Sequence, residues 1–179
     1  MPMTAGIVSA GYRYQVGDVA PSGGRVFIVP STSGNSTTKY FEAPYDTWNG
    51  GSSDPTRIWG NTAVNVTGLS TAIGAGVTNT TTIIAADATA AAASICQNLS
   101  LNGYTDWFLP SMNELQQVYN QRSIWNDFNT SDNYKSSNQG TSGIQYNAAI
   151  FFFNGTSSQG DPKQIARSVR PTRYFDARY

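Results

Sequence analysis

GYTDWFLPSMNEL (residues 103–115) joins an apolar run to a helix start across a single proline, and the rest of the chain can be read outward from that junction. Proline holds the residue before it in extended backbone, so Trp107, Phe108 and Leu109 are expected as a buried extended segment. Ser111 followed three residues later by Glu114 is a capping box, in which hydroxyl and carboxylate each satisfy an orphan amide of a new helix. Met112, Leu115, Val118, Tyr119 and Arg122 then recur at helical spacing, which predicts a helix of about ten residues.

Upstream, TTTIIAADATAAAASICQNLSLNG (80–103) predicts another helix, with a break near Asp87 and a stop at Asn102-Gly103. RVFIVP (25–30) is nearly continuous in apolar character and reads as a central, buried strand. Between them, residues 31–80 are rich in Ser, Thr, Asn and Gly, with Tyr40, Phe41, Tyr45, Trp48, Trp59 and Ile73 as isolated anchors. This predicts a long looped excursion with short strands near 39–43 and 56–59. Downstream, NAAIFFF (147–153) ends on the hairpin signal Asn154-Gly155. Its expected antiparallel partner is IARSVRPTRYF (165–175), reached through the polar loop TSSQGDPKQ, with Ile165, Val169 and Phe175 in the core. The pattern is α+β, with two helices, an antiparallel core and long loops. No repeat or linker divides it.

Composition excludes several functions. Charged residues make up only 12% of the chain, where roughly 25% is usual. Eleven basic and eleven acidic side chains cancel, leaving no field to attract nucleic acid or an anionic membrane. No run approaches the roughly 20 apolar residues of a membrane span. The opening MPMTAGIVSAGYRYQVGDVA has neither a basic start nor an apolar core, so no secretory leader is expected. The chain contains no histidine, which rules out histidine-based triads, acid–base pairs and zinc sites in their usual forms. Cys96 is the single cysteine, set in an alanine-rich segment, and reads as a small buried hydrophobe.

VGDVAPSGGRVFIV (16–29), TAIGAGVTNTTTIIA (71–85), LNGYTDWFLPSMNEL (101–115) and RSVRPTRYF (167–175) stand in an order and spacing that resemble the DUF1566 family, the domain also described at the C-terminus of Legionella collagen-like adhesins. The resemblance spans about residues 12–176. It implies a C-type-lectin-like fold over residues 12–179; residues 1–11 are expected separately as an attachment segment for assembly. It also implies a role like that of adhesins and bacteriophage tail-fibre tips. Two departures stand out: Tyr134-Lys135-Ser136-Ser137 replaces a tryptophan before paired serines, and the cysteine pair common in relatives is reduced to Cys96.

Trp125-Asn126-Asp127 is similar to an element of calcium-dependent lectins, but the companion element is missing upstream, and a structural loop is expected there. Asp46, Asp54, Asp106, Asp127 and Asp132 could supply a glycosidase pair, yet their spacing selects no two of them. Arg167, Arg170 and Arg173 could mark an anion site or include a buried, carboxylate-paired structural arginine. No catalytic residue, metal ligand or cofactor is therefore assigned.

The binding candidates are aromatic rings set among small polar residues, Tyr45, Trp48 and Trp59, which suit either stacking on a sugar face or pinning the loop to the core. Lys135, Asn138, Gln139, Gln145 and Tyr146 join them, on a stretch that reads either as a solvated loop or as the part that faces ligand in lectin-like folds. The expected function is a non-enzymatic binding or structural module of a bacteriophage virion: a tail-fibre, receptor-binding or surface-decoration protein. It would meet a host cell-surface glycan or other virion proteins as a homo-oligomer, a trimer if a fibre tip. The alternative is a secreted or cell-surface bacterial adhesin.

Overall fold

A computed structural model of the chain describes residues 13–151 and 154–176. The expected attachment segment 1–11 and the last two residues of the NAAIFFF strand lie outside the described residues. Trp107–Leu109 is extended and buried, and its alternation explains its position in the fold. Phe108 enters one hydrophobic cluster, with Phe27, Phe41, Leu115, Val118, Trp125 and Tyr134. Leu109 enters a second, with Trp59, Ile83, Ala92, Cys96 and Val169. Successive residues of an extended segment point to opposite sides, so this short run separates and joins the two cores.

Its backbone is paired on three sides. Phe108 exchanges both backbone hydrogen bonds with Thr172 (2.9 and 3.0 Å). The Leu109 amide donates to the Thr80 hydroxyl at 3.0 Å. The Pro110 carbonyl accepts from the Ser137 amide at 2.7 Å.

Helix α3 (Met112–Asn120) begins with the predicted capping box intact. The Glu114 carboxylate accepts from the Ser111 amide at 2.7 Å and from the Gly74 amide at 2.7 Å, with a longer contact from Gly76. It therefore ties the start of α3 to that of α1 (Gly76–Ala86). A Cβ at Gly76 would collide with this carboxylate and with the Phe108 ring, so only glycine admits the approach.

Burial pushes the Glu114 carboxyl from 4.5 up to about 7, against the pull of these amides. The folded chain thus holds the proton more tightly than the unfolded one. Stability should be greatest below the unfolded value and fall by up to roughly 3 kcal/mol as pH rises from 4.5 to about 7, then level off. Urea melts across this range should show the fall in wild type minus Glu114→Gln; a flat difference would refute it.

The predicted break at Asp87 is complete: it divides α1 from α2 (Ala91–Gln97), so the described residues hold three α-helices where two were expected. The Asp87 carboxylate takes the amides of Asn61 (2.5 Å) and Thr89 (2.9 Å), competing with helical continuation. Cys96 is buried on α2, and burial pushes its thiol well above the ordinary value. The stop expected at Asn102-Gly103 comes earlier, at Gln97. Asn102 and Gly103 instead form a tight turn, with φ of 52° and 84°, between the paired residues Leu101 and Tyr104. Asn-Gly suits such a turn better than a helix end.

The described residues make a mixed α+β fold with three α-helices and two mostly antiparallel sheets. The smaller sheet has the order β1-β2-β8: β1 (Arg25–Ile28), β2 (Tyr40–Ala43) and β8 (Arg173–Phe175). The larger runs β3-β7-β4-β5-β6, from β3 (Thr56–Arg57), β7 (Arg167–Ser168), β4 (Asn133–Gln139), β5 (Tyr146–Phe151) and β6 (Thr156–Pro162). β7 and β4 form the parallel pair.

Three expectations need correction. β1 is buried as expected but lies at a sheet edge, its apolar run divided between the cluster of Phe27 and Ile28 and that of Val26 and Tyr40. The return strand after Asn154-Gly155 is TSSQGDP itself, which pairs with β5 from Phe151↔Thr156 onward. It reads as a loop because an edge strand with largely water-facing side chains needs no apolar alternation. The 165–175 segment pairs instead with β3, β4 and β2, and Ile165 is 45% exposed. Val169 is buried as expected, while Phe175 is half-buried in the third cluster.

Candidate ligand-binding site

The binding candidates divide according to what their polar atoms already hold. Trp59 is buried, donates its indole N–H to the Ser136 carbonyl at 2.8 Å, and carries the Lys163 ammonium 4.7 Å above its ring. Lys135 is fully buried, and its ammonium donates to Asp161 (2.6 Å), Asn147 (2.9 Å) and the Pro162 carbonyl (3.2 Å). Burial lowers its pKa, against the opposing pull of Asp161. Asn138 is buried and accepts from the Met112 amide at 2.9 Å, so it serves the first turn of α3. Gln139 accepts from Val66 and Lys163 (both 2.8 Å) and donates to Asn65 at 2.6 Å, fastening the excursion to β4. The polar ends of Lys135 and Gln139, expected to face a ligand, are thus engaged within the protein, Lys135 by Asp161 and Asn147 and Gln139 by Val66, Lys163 and Asn65.

Trp48 is also buried, at 7% exposure, and donates to Asp54 at 2.9 Å. Tyr45 is half-buried and accepts from Arg25 at 2.7 Å. The two line a cleft of about 130 Å³ with Ser22, Gly23, Gly24, Pro44, Thr47, Leu101 and Asn102. Gln145 is exposed and Tyr146 half-buried, away from that cleft at the start of β5. The eight candidates therefore do not converge on one surface.

What the residue pattern did not disclose is which carboxylates the three arginines hold: together they form an ion-paired frame under the loops. Arg170 is buried and grips Asp54 with Nε and Nη2 (each at 2.6 Å), also reaching Asp127 at 3.1 Å and the Pro44 carbonyl at 2.9 Å. Burial alone would lower the Arg170 pKa, but Asp54 and Asp127 outweigh it and raise it. Asp54 also accepts from the Tyr134 hydroxyl at 2.8 Å. Arg173 joins Glu42 (2.5 Å) to Asp106 (2.6 Å), and Arg167 joins Asp161 (3.1 Å) to Asp132 (3.2 Å). The structural reading of these arginines holds. Asp54, Asp106, Asp127 and Asp132, considered for a glycosidase pair, are each engaged by arginine.

Trp125-Asn126-Asp127 is a structural loop on this frame. The Trp125 indole donates to the Ala43 carbonyl at 3.2 Å, and Asp127 accepts from Arg170 and from the Asp46 amide at 2.8 Å. Beside it opens a cavity of about 470 Å³ lined by Arg122, Ser123, Asn126, Phe128 and Thr130. Ligand sites are commonly about 300–1,000 Å³, so this cavity is of ligand size and the Trp48 cleft is too small to enclose one. Asn126 of the lectin-like tripeptide lies in the loop that lines the larger cavity.

Among the described residues, no group of three or more acidic or cysteine side chains is placed to hold a metal, and no helix is long and apolar enough to cross a membrane. The chain matches no protein-family model and no curated protein.

Proposed function

We propose that the chain is a non-enzymatic, C-type-lectin-like binding module of a bacteriophage virion, contacting a cell-surface glycan from a tail fibre, receptor-binding or decoration protein. The observation that carries the binding part is the ligand-sized concavity beside Phe128. It is lined by a ring, hydroxyls, an amide and a guanidinium, without an acid–base pair, and is braced by the buried Arg170 ion pairs. Such a lining gains affinity from stacking and hydrogen bonds rather than bond chemistry. The virion assignment rests on the sequence resemblance. A single shallow sugar site is weak, and repetition on an oligomer, a homotrimer at a fibre tip, multiplies it through effective concentration.

Purified protein on a glycan array, light scattering for the oligomer, and mass spectrometry of particles of the encoding phage test the three parts. Absence from the particle would refute the virion assignment. A silent array would refute glycan binding, and a persistent monomer would refute the trimer.

A further inference from the structure

The 122–130 cavity has a chemistry more specific than sugar binding in general, and its assignment to one sugar class rests on the glycan-binding reading. Arg122 differs from the arginines of the ion-paired frame. Arg167, Arg170 and Arg173 each hold carboxylates, whereas among the described residues Arg122 forms no ion pair. Its guanidinium is nevertheless held in place, 4.1 Å from the centre of the Tyr119 ring and donating through Nη1 to the Tyr119 carbonyl at 3.0 Å. A guanidinium has five N–H donors in a planar fork that matches a carboxylate, so most of that capacity remains for a ligand in the cavity it lines.

Phe128 is the second fixed element. It packs edge-on against Trp125 and Tyr134, with centroids 5.5 and 5.4 Å away, and the buried Arg170 guanidinium lies 4.1 Å from its centre. The ring is half-buried and lines the cavity. Asn126 is held between the anchored Trp125 and Asp127 in a left-handed conformation, φ 57°, which asparagine tolerates better than most residues. Ser123, Asn126 and Thr130 are exposed and add two hydroxyls and an amide. An unpaired arginine fork, an immobilised ring and short hydrogen-bonding side chains are complementary to a carboxylate, an apolar ring face and hydroxyls.

We propose that this cavity binds a carboxylated sugar ring, with the carboxylate on Arg122, the ring face on Phe128, and hydroxyls on Ser123, Asn126 and Thr130. Neither a uronic nor a sialic acid is singled out by this chemistry, and the test separates them.

The protein is titrated calorimetrically with trigalacturonic acid and with sialyllactose, and in parallel with the trigalacturonate methyl ester and with lactose. At least one acid should bind at least about tenfold more tightly than its neutral counterpart, and added salt should narrow that gap. Arg122→Gln should abolish the preference and Arg122→Lys retain part of it. Asn126→Gly keeps the left-handed backbone accessible, so weakened binding with an unchanged melting temperature would assign the amide to the ligand. Equal binding of acid and neutral forms, or an undiminished preference in Arg122→Gln, would overturn the proposal. Silence toward both acids while neutral glycans bind on the array would overturn it and leave the glycan-binding reading standing. Silence toward every glycan would remove both.

Discussion

Replacing Arg170 by methionine should destabilise the protein by about 3–5 kcal/mol, the usual cost of leaving a buried carboxylate without its partner. The side chains of Arg170 and Asp54 are essentially inaccessible, and Asp54 is shared with the Trp48 indole and the Tyr134 hydroxyl. Loss of the guanidinium strands that carboxylate and also releases Asp127 and the Pro44 carbonyl. For a domain whose whole stability is of the order of 5–15 kcal/mol, the change approaches global unfolding. Denaturant melts of Arg170→Met, Asp54→Asn and the double variant would separate the pair from its parts. The double variant should be well short of the sum, because the stranded charge is then absent. A single Arg170→Met variant within about 1 kcal/mol of wild type would contradict the frame. Loss of the frame should also loosen the Phe128 ring that rests against it, and on the glycan-binding proposal the folded fraction of the variant should bind glycan more weakly.

The loop architecture depends on these pairs, and they mark the boundary of what can be read from residue order. The Pro110 junction, the capping box at Ser111 and Glu114, and the break at Asp87 are legible because each is decided by residues within a few positions of one another. The return strand at Thr156–Pro162 is not. It is polar because it is an edge, and an edge is a property of the assembled sheet. The same holds for Lys135 and Asn138. In sequence, a lysine and an asparagine between elements look like surface groups. Only the approach of Asp161 to one and of the α3 N-terminus to the other makes them interior. Conversely, Arg122 falls at helical spacing and reads as part of a helix face, while the cavity it lines is completed by Asn126, Phe128 and Thr130 of the following loop. The aromatic anchors were the ambiguous case, since a ring among small polar residues suits stacking or pinning equally. Burial decides for pinning at Trp59 and nearly so at Trp48.

The largest apolar effect is expected in the segment that decides the fold. Phe108→Ala should cost about 3–5 kcal/mol, since the ring is 1% exposed inside the larger cluster and its removal leaves a cavity among rigid neighbours. Those neighbours are poorly placed to collapse. Tyr174 lies 5.9 Å away, Gly76 approaches the ring backbone-first, and Phe108 itself is pinned to Thr172 by two backbone hydrogen bonds. Trp107 provides the contrast. It is as well buried, at 2%, but borders an existing cavity of about 190 Å³ with Val77, Gln97, Thr105, Asp106 and Tyr174. Space already lies on one side of the indole, so fewer contacts are lost, and Trp107→Ala should fall at or below the low end of the same range. Urea melts of the two variants measure the order directly. If Trp107→Ala proves the more damaging, the extended segment is held mainly from its outer face, where Arg173 lies 5.9 Å from the indole, and the division of the core across Phe108 and Leu109 is not what anchors it.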